Sequence, residues 1–146
     1  MKKTIILLFF CCISYFASSQ IYTEIYIREA SNIAQIWLDD LNNKQYNKCW
    51  ELHSNDAKLA NGSIEIWQAF IEDVMGEFGE LKSRNVIDQY FLSSIEGRED
   101  GFYVFVEYEC SYTLTKDHKE LVILKQNDKA KWEIDSWEYQ FISIEE

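Results

Sequence analysis

At 146 residues and a formal net charge of −11, the chain has length for one domain with a single core and none for two. Its 25 acidic residues against 14 basic ones should repel nucleic acid and anionic membrane surfaces, and no basic stripe offsets them, so both are excluded as expected partners. The acidic side chains are scattered rather than gathered into a tail, as on a solvated surface.

Residues 1–19 read as an export address: Lys2 and Lys3 precede an apolar run from Ile5 to Phe16, closed by Ala17, Ser18 and Ser19. That is the pattern of a secretory signal peptide, with cleavage predicted before Gln20 and a periplasmic or secreted destination. The run is shorter than the roughly twenty residues a helical membrane crossing needs, and no later stretch is longer, so no transmembrane segment is expected after cleavage. Retention as an N-terminal anchor is the alternative. Cys11 and Cys12 lie inside the run, but Phe10 precedes them where a lipid-anchoring signal resembling the bacterial lipobox would want a small residue. Loss of Lys2 and Lys3 leaves 12 basic against 25 acidic residues, a net charge of −13 for residues 20–146. That part reads as one α+β domain, with enough aromatic side chains for a substantial core.

Between Ile21 and Asn43 the residues Ala30, Ile33, Ala34, Trp37, Leu38 and Leu41 recur at three- and four-residue spacing, which predicts an amphipathic helix. Tyr46, Cys49, Trp50 and His53 repeat the spacing and predict a short second helix that ends in HSND. A third starts after Asn61-Gly62 with Ser63 as its N-cap, buries Ile64, Trp67, Ile71 and Val74, and is expected to end at Gly76. The Asn61-Gly62-Ser63 sequon reads as turn and cap. Beyond Gly79 the period changes to two and strands follow. These are Leu81 to Leu92, Phe102 to Leu114, Glu120 to Lys125, and Ala130 to Ile142 after an Asn127-Asp128 turn. In the second, Phe102, Val104, Val106, Tyr108, Cys110, Tyr112 and Leu114 share a dry face, and Glu107, Glu109, Ser111 and Thr113 share a wet one. In the last, Trp132 and Ile134 are out of phase with Trp137, Tyr139 and Phe141, which predicts a bulge near Asp135-Ser136. Helices first and strands afterward, with short connections, imply N-terminal helices packed on one face of a four-stranded antiparallel sheet.

The order of landmarks AQIWLDDL, YNKCW, Trp67 leading to EFGEL, Arg84, GFYVFVEYE, ELVILK and KWEIDSWEY, over residues 30 to 142, resembles a family of small bacterial exported proteins, domain of unknown function 4019. Phe78 stands where that family often has proline, and Ser136-Trp137 where it often has glycine-tyrosine. The resemblance implies a cystatin-like or nuclear-transport-factor-2-like cone, a curved sheet around a long helix with room for a pocket at the wide end. It implies no activity and carries no catalytic residues.

CWELH, where Cys49 and His53 share a helix face, raises three possible chemistries. A thiol nucleophile needs an electropositive, partly exposed setting and an oriented base, and this strongly acidic chain offers neither. Zinc would need Cys49, His53, Cys110 and His118 together, but His118 falls in the polar stretch TKDHK, expected to be a turn about 25 Å from Cys110 along an extended strand. Export would put Cys49 and Cys110 in an oxidising compartment, where a bridge across 61 positions would stabilise the fold by about 4 kcal/mol; two free thiols acting as small hydrophobes are the alternative. The remaining pattern is aromatic, with Trp37, Trp50, Trp67, Tyr108, Tyr112 and Trp132 read as inward. Trp37, Trp50, Tyr108, Tyr112 and Trp132 could line a pocket for a small ligand. The expectation is therefore a non-enzymatic envelope module that binds a small ligand or a protein partner, with no catalytic residue, metal or cofactor. A carboxylate-dependent isomerase- or hydrolase-like enzyme is the alternative; it would need a carboxylate or histidine buried at the pocket floor, and Asp88 and Asp135 are its candidates.

Overall fold

The structure, a computed structural model, describes the backbone of residues 2–144 and the side chains of residues 21–144. The side chains of the leader read at residues 1–19 lie outside that range, and no helix among the described residues is long and apolar enough to cross a membrane.

Helix α1 (Lys2–Asn42) buries Ala30, Ala34, Trp37, Leu38 and Leu41, the stripe its spacing predicts. The chain then turns through Lys44, which takes a positive φ of 57°, into α2 (Tyr46–Glu51). Residues 52–54 end that helix by joining the sheet: Ile134 N donates to Leu52 O, and Ser54 N to Ile134 O, both at 2.8 Å. A fourth helix, α3 (Asn55–Asn61), follows where the sequence predicted none. Its N-cap is Ser54, whose Oγ accepts from Ala57 N, and only Ala57 of its residues is buried, so it carries no apolar stripe to read. Helix α4 (Ile64–Phe78) is capped by Ser63 as expected, but runs through Gly76 and ends two residues later. The stop falls at Gly79, with φ at 77°, because the extra half-turn buries Phe78 among Tyr112, His118, Trp137, Tyr139 and Phe141.

Strands β1 (Leu81–Leu92), β2 (Tyr103–Tyr112), β3 (Thr115–Gln126) and β4 (Trp132–Ser143) form an antiparallel sheet in chain order. Together with the preceding helices this is the α+β architecture expected, an open sheet whose inner face the helices cover, compatible with a cystatin-like cone. Two expectations fail in the β2–β3 hairpin. The chain reverses within two residues, Thr113 and Leu114, so TKDHK is strand, and Cys110 and His118 are direct cross-strand partners rather than distant. Polar composition suggested a turn, but Thr115 Oγ1 and His118 Nδ1 hydrogen-bond each other at 2.9 Å and both residues are buried. Nor is the outer face of β2 uniformly wet. Tyr103 and Phe105 form a second small core there with Ile123, Tyr90 stacks on Phe105, and only toward Glu109 and Ser111 does that face meet solvent. Phe102 and Leu114, read as inward, lie beyond the ends of β2 and are exposed.

The bulge in β4 falls where the phase slip predicts. Leu124 pairs with Ile134 and Ile123 with Ser136, so Asp135 is the extra residue, and the slip brings Trp132, Ile134 and Trp137 to the same core.

Candidate functional site

Alternation along β3 puts His118, Glu120, Val122 and Leu124 on the inner face, so a carboxylate enters the core. The Glu120 side chain has 0% exposure and Arg84, on β1, has 9%. Arg84 Nη2 donates to both Glu120 oxygens at 3.1 Å, Tyr112 Oη to Oε1 at 2.6 Å, and Trp137 Nε1 to Oε2 at 3.3 Å. Arg84 Nη2 also donates to Tyr112 Oη at 2.7 Å. A carboxylate offers about four lone-pair sites, and these four bonds fill them. Burial opposes the Arg84 charge, but Glu120 and then Tyr112 and Cys110 outweigh it and raise its pKa above the ordinary arginine value. Burial, then Glu120, pushes the Tyr112 phenol well up, so it stays a donor.

His118 stands beside this network without joining it. Its Nε2 is 3.7 Å from Glu120 Oε1, beyond hydrogen-bond reach. Burial lowers its pKa; Glu120 pulls the other way and Arg84 adds to the lowering, so the ring is neutral and the close approach is no ion pair. Cys110, whose Cα pairs with Arg84 on one side and His118 on the other, has its thiol pushed up to about 12 by burial and then by Glu120, with Arg84 opposing.

Above the network a groove of about 860 Å³ runs between α1 and β1, with Ile27, Arg28, Ser31, Leu38, Arg84 and Tyr108 among its walls. Ser31 Oγ donates across it to Gln89 Oε1 at 2.9 Å. Arg84 Nε is buried and has no partner, so the guanidinium keeps a donor to spare beneath the groove.

The CWELH residues are elsewhere and do not form a catalytic pair. Cys49 is fully buried, its Sγ donates to Trp37 O at 3.5 Å, and burial, then Asp40, pushes its thiol up to about 12. His53 is buried among the rings of Trp37, Trp50 and Trp67, with its centroid 4.8 Å from that of Trp67. Burial, then Lys58, lowers its pKa to about 4, so it is neutral. A cavity of about 190 Å³ lies against it between α3, α4 and β4. Cys49 and Cys110 are both free, and among the described residues no group of three or more His, Cys, Asp or Glu side chains is placed to hold a metal.

The aromatic residues read as one pocket lining are not brought to one pocket. Tyr108 lines the groove and Trp37 the small cavity. Tyr112 belongs to the Glu120 network, Trp132 packs edge-on against Tyr26, and Trp50 is half-buried against Trp67. Their size makes them core wherever sheet and helices meet, which spreads them along the whole interface. Asp88 is exposed and accepts from Gln89 N, and Asp135 pairs with Arg98 and accepts from Ser54 Oγ, so neither is the buried carboxylate the alternative required. Glu120 is that group, paired with Arg84, which stood in the sequence only as a landmark of the family resemblance. The signal was present: Glu120 shares the parity of Val122 and Leu124, so any strand through ELVILK that buries the valine buries the glutamate.

No curated protein matches the chain. The family model described as "Protein of unknown function (DUF4019)" matches residues 33–137, a span that holds Arg84, Tyr112, Glu120 and Trp137 together. The chain therefore belongs to the DUF4019 family.

Proposed function

We propose that the protein is an exported, non-enzymatic module of the cell envelope that binds a small ligand in the groove between α1 and β1. The observation that carries this reading is Arg84, which stands in the wall of a groove of about 860 Å³, within the range usual for small-molecule sites, with its Nε buried and unpartnered. Ile27 and Val86 give the groove an apolar strip beside the polar Arg28, Asn32, Gln35 and Gln89, which suits an amphipathic molecule that carries a carbonyl or carboxylate. Glu120 acts through Arg84, fixing the guanidinium so that the spare donor keeps its direction. Its own acceptor sites are filled, which counts against proton abstraction and supports binding over the isomerase- or hydrolase-like alternative. The leader pattern supports export, and the groove's lining starts at Glu24, so cleavage before Gln20 leaves it whole.

Native mass spectrometry of the protein taken from its own exported fraction tests both parts. The expected result is a chain that begins at Gln20 and carries a small molecule, which Ser31→Trp, filling the groove, expels without loss of fold. A chain that still bears Lys2 refutes export with cleavage. An adduct equally retained by the Ser31→Trp variant refutes the groove.

A further inference from the structure

We infer that the cavity between α3, α4 and β4 is a second binding site, for a small, neutral, planar molecule with adjacent hydrogen-bond donor and acceptor, such as an azole or a lactam. Three buried polar atoms without partners, Trp37 Nε1, His53 Nδ1 and Ser136 Oγ, belong to residues that line this one cavity. A buried polar atom left unpaired is costly, and native folds hold few of them, so three on residues that share one space point to an occupant that pairs with them. Size, shape and charge restrict that occupant. The space is about 190 Å³, somewhat more than the roughly 150 Å³ that accommodates benzene in an engineered cavity, so it takes a five- or six-membered ring with a small substituent. Trp37, Trp67 and Trp137 give it flat aromatic walls. Asp135 is the one acidic residue among its walls, and Arg98 already pairs with it. Trp37 Nε1 can only donate, so the occupant must accept from it, while the neutral His53 and the Ser136 hydroxyl can each complement a donor. The exposed Ala60 and Phe70 mark the way in. The site lies apart from the α1–β1 groove and does not depend on it.

Pyrazole is a suitable probe, with benzene as its apolar match, and the indole N–H signal of Trp37 in a proton–nitrogen correlation spectrum as the readout. Pyrazole should shift that signal saturably at millimolar concentration, with benzene at least ten-fold weaker. Ser136→Ala should weaken pyrazole about five-fold, as loss of one neutral hydrogen bond does, yet leave the empty protein as stable as before or more so, since it deletes an unpaired hydroxyl. Ala60→Trp, at the mouth, should abolish the shift while the Trp37 signal stays in place. The inference is overturned if pyrazole moves nothing, if benzene binds equally well, if Ser136→Ala leaves pyrazole affinity unchanged, or if a crystal soaked in pyrazole retains only ordered waters bridging the three atoms.

Discussion

Glu120→Gln is the substitution that most directly probes the interior. It keeps the side chain's length and most of its volume, so no cavity forms, but it removes the negative charge that faces Arg84. The guanidinium cannot follow by losing its proton, and with only 9% of its side chain exposed it stays largely out of water. The amide also has one acceptor oxygen where the carboxylate had two, so Tyr112 and Trp137 cannot both keep their bonds alongside Arg84. Removing one partner of a buried pair costs about 3–5 kcal/mol, a large share of the roughly 5–15 kcal/mol that holds a domain together. Urea unfolding followed by circular dichroism should show the midpoint lowered by about 2 M for a slope near 2 kcal/mol per M. The double variant Arg84→Met with Glu120→Leu removes both charges and should regain at least half of the loss. A single variant within about 1 kcal/mol of the parent, at unchanged slope, would refute the assignment of Glu120 as the anchor of Arg84.

Other perturbations test separate parts of the structure. His53 titrates from 6.5 in the unfolded chain to about 4 in the folded one, so below pH 6.5 the unfolded state takes up a proton that the folded state refuses. Its contribution is complete above pH 6.5 and fades as pH falls, by about 3 kcal/mol once pH is below 4; His118 adds in the same direction. The slope of stability against pH between 6.5 and 5 should therefore flatten in His53→Phe, and an unchanged slope would contradict a neutral, buried His53. Gly79→Ala drives a Cβ into Thr113 Oγ1 at a φ of 77°, and should cost more than about 2 kcal/mol in chemical denaturation. Gly76→Ala, in the last turn of α4, meets nothing within 4 Å and should instead stabilise by about 0.5 kcal/mol, a contrast that equal effects would erase. With both thiols free and pushed up to about 12, Cys49 and Cys110 should resist a disulfide reagent at pH 8 while the protein is folded and react together once it unfolds without reductant; rapid reaction of the native protein would contradict their burial.

Much of this architecture was legible from periodicity alone. The buried stripes of α1 and α4, the cap at Ser63, the span of β1 and the bulge beside Asp135 each follow from spacing or from a side chain that hydrogen-bonds its own backbone. What escaped reading shares a physical character. Helix α3 buries little and is held by a cap and by its neighbours. Thr115 and His118, at the start of β3, are polar and stay inside with one hydrogen bond between them, while Lys116 and Asp117 are exposed. The same holds for Arg84 and Glu120: each taken singly belongs on a surface, and only the ion pair, made by residues 36 apart, lets both be buried. Local pattern reports burial that apolar side chains drive, and is silent about burial that depends on a partner elsewhere in the chain.

One carboxylate receives a single side chain from every other strand: Arg84 from β1, Tyr112 from β2 and Trp137 from β4. The sheet thereby carries a built-in alignment check. Sliding any ladder by one residue would turn the donor on the moving strand to the opposite face, and leave a naked charge where the correct arrangement has a neutralised one. Mispaired sheets of equal hydrophobicity are thus penalised electrostatically, and a single glutamate discriminates among them for all four strands at once.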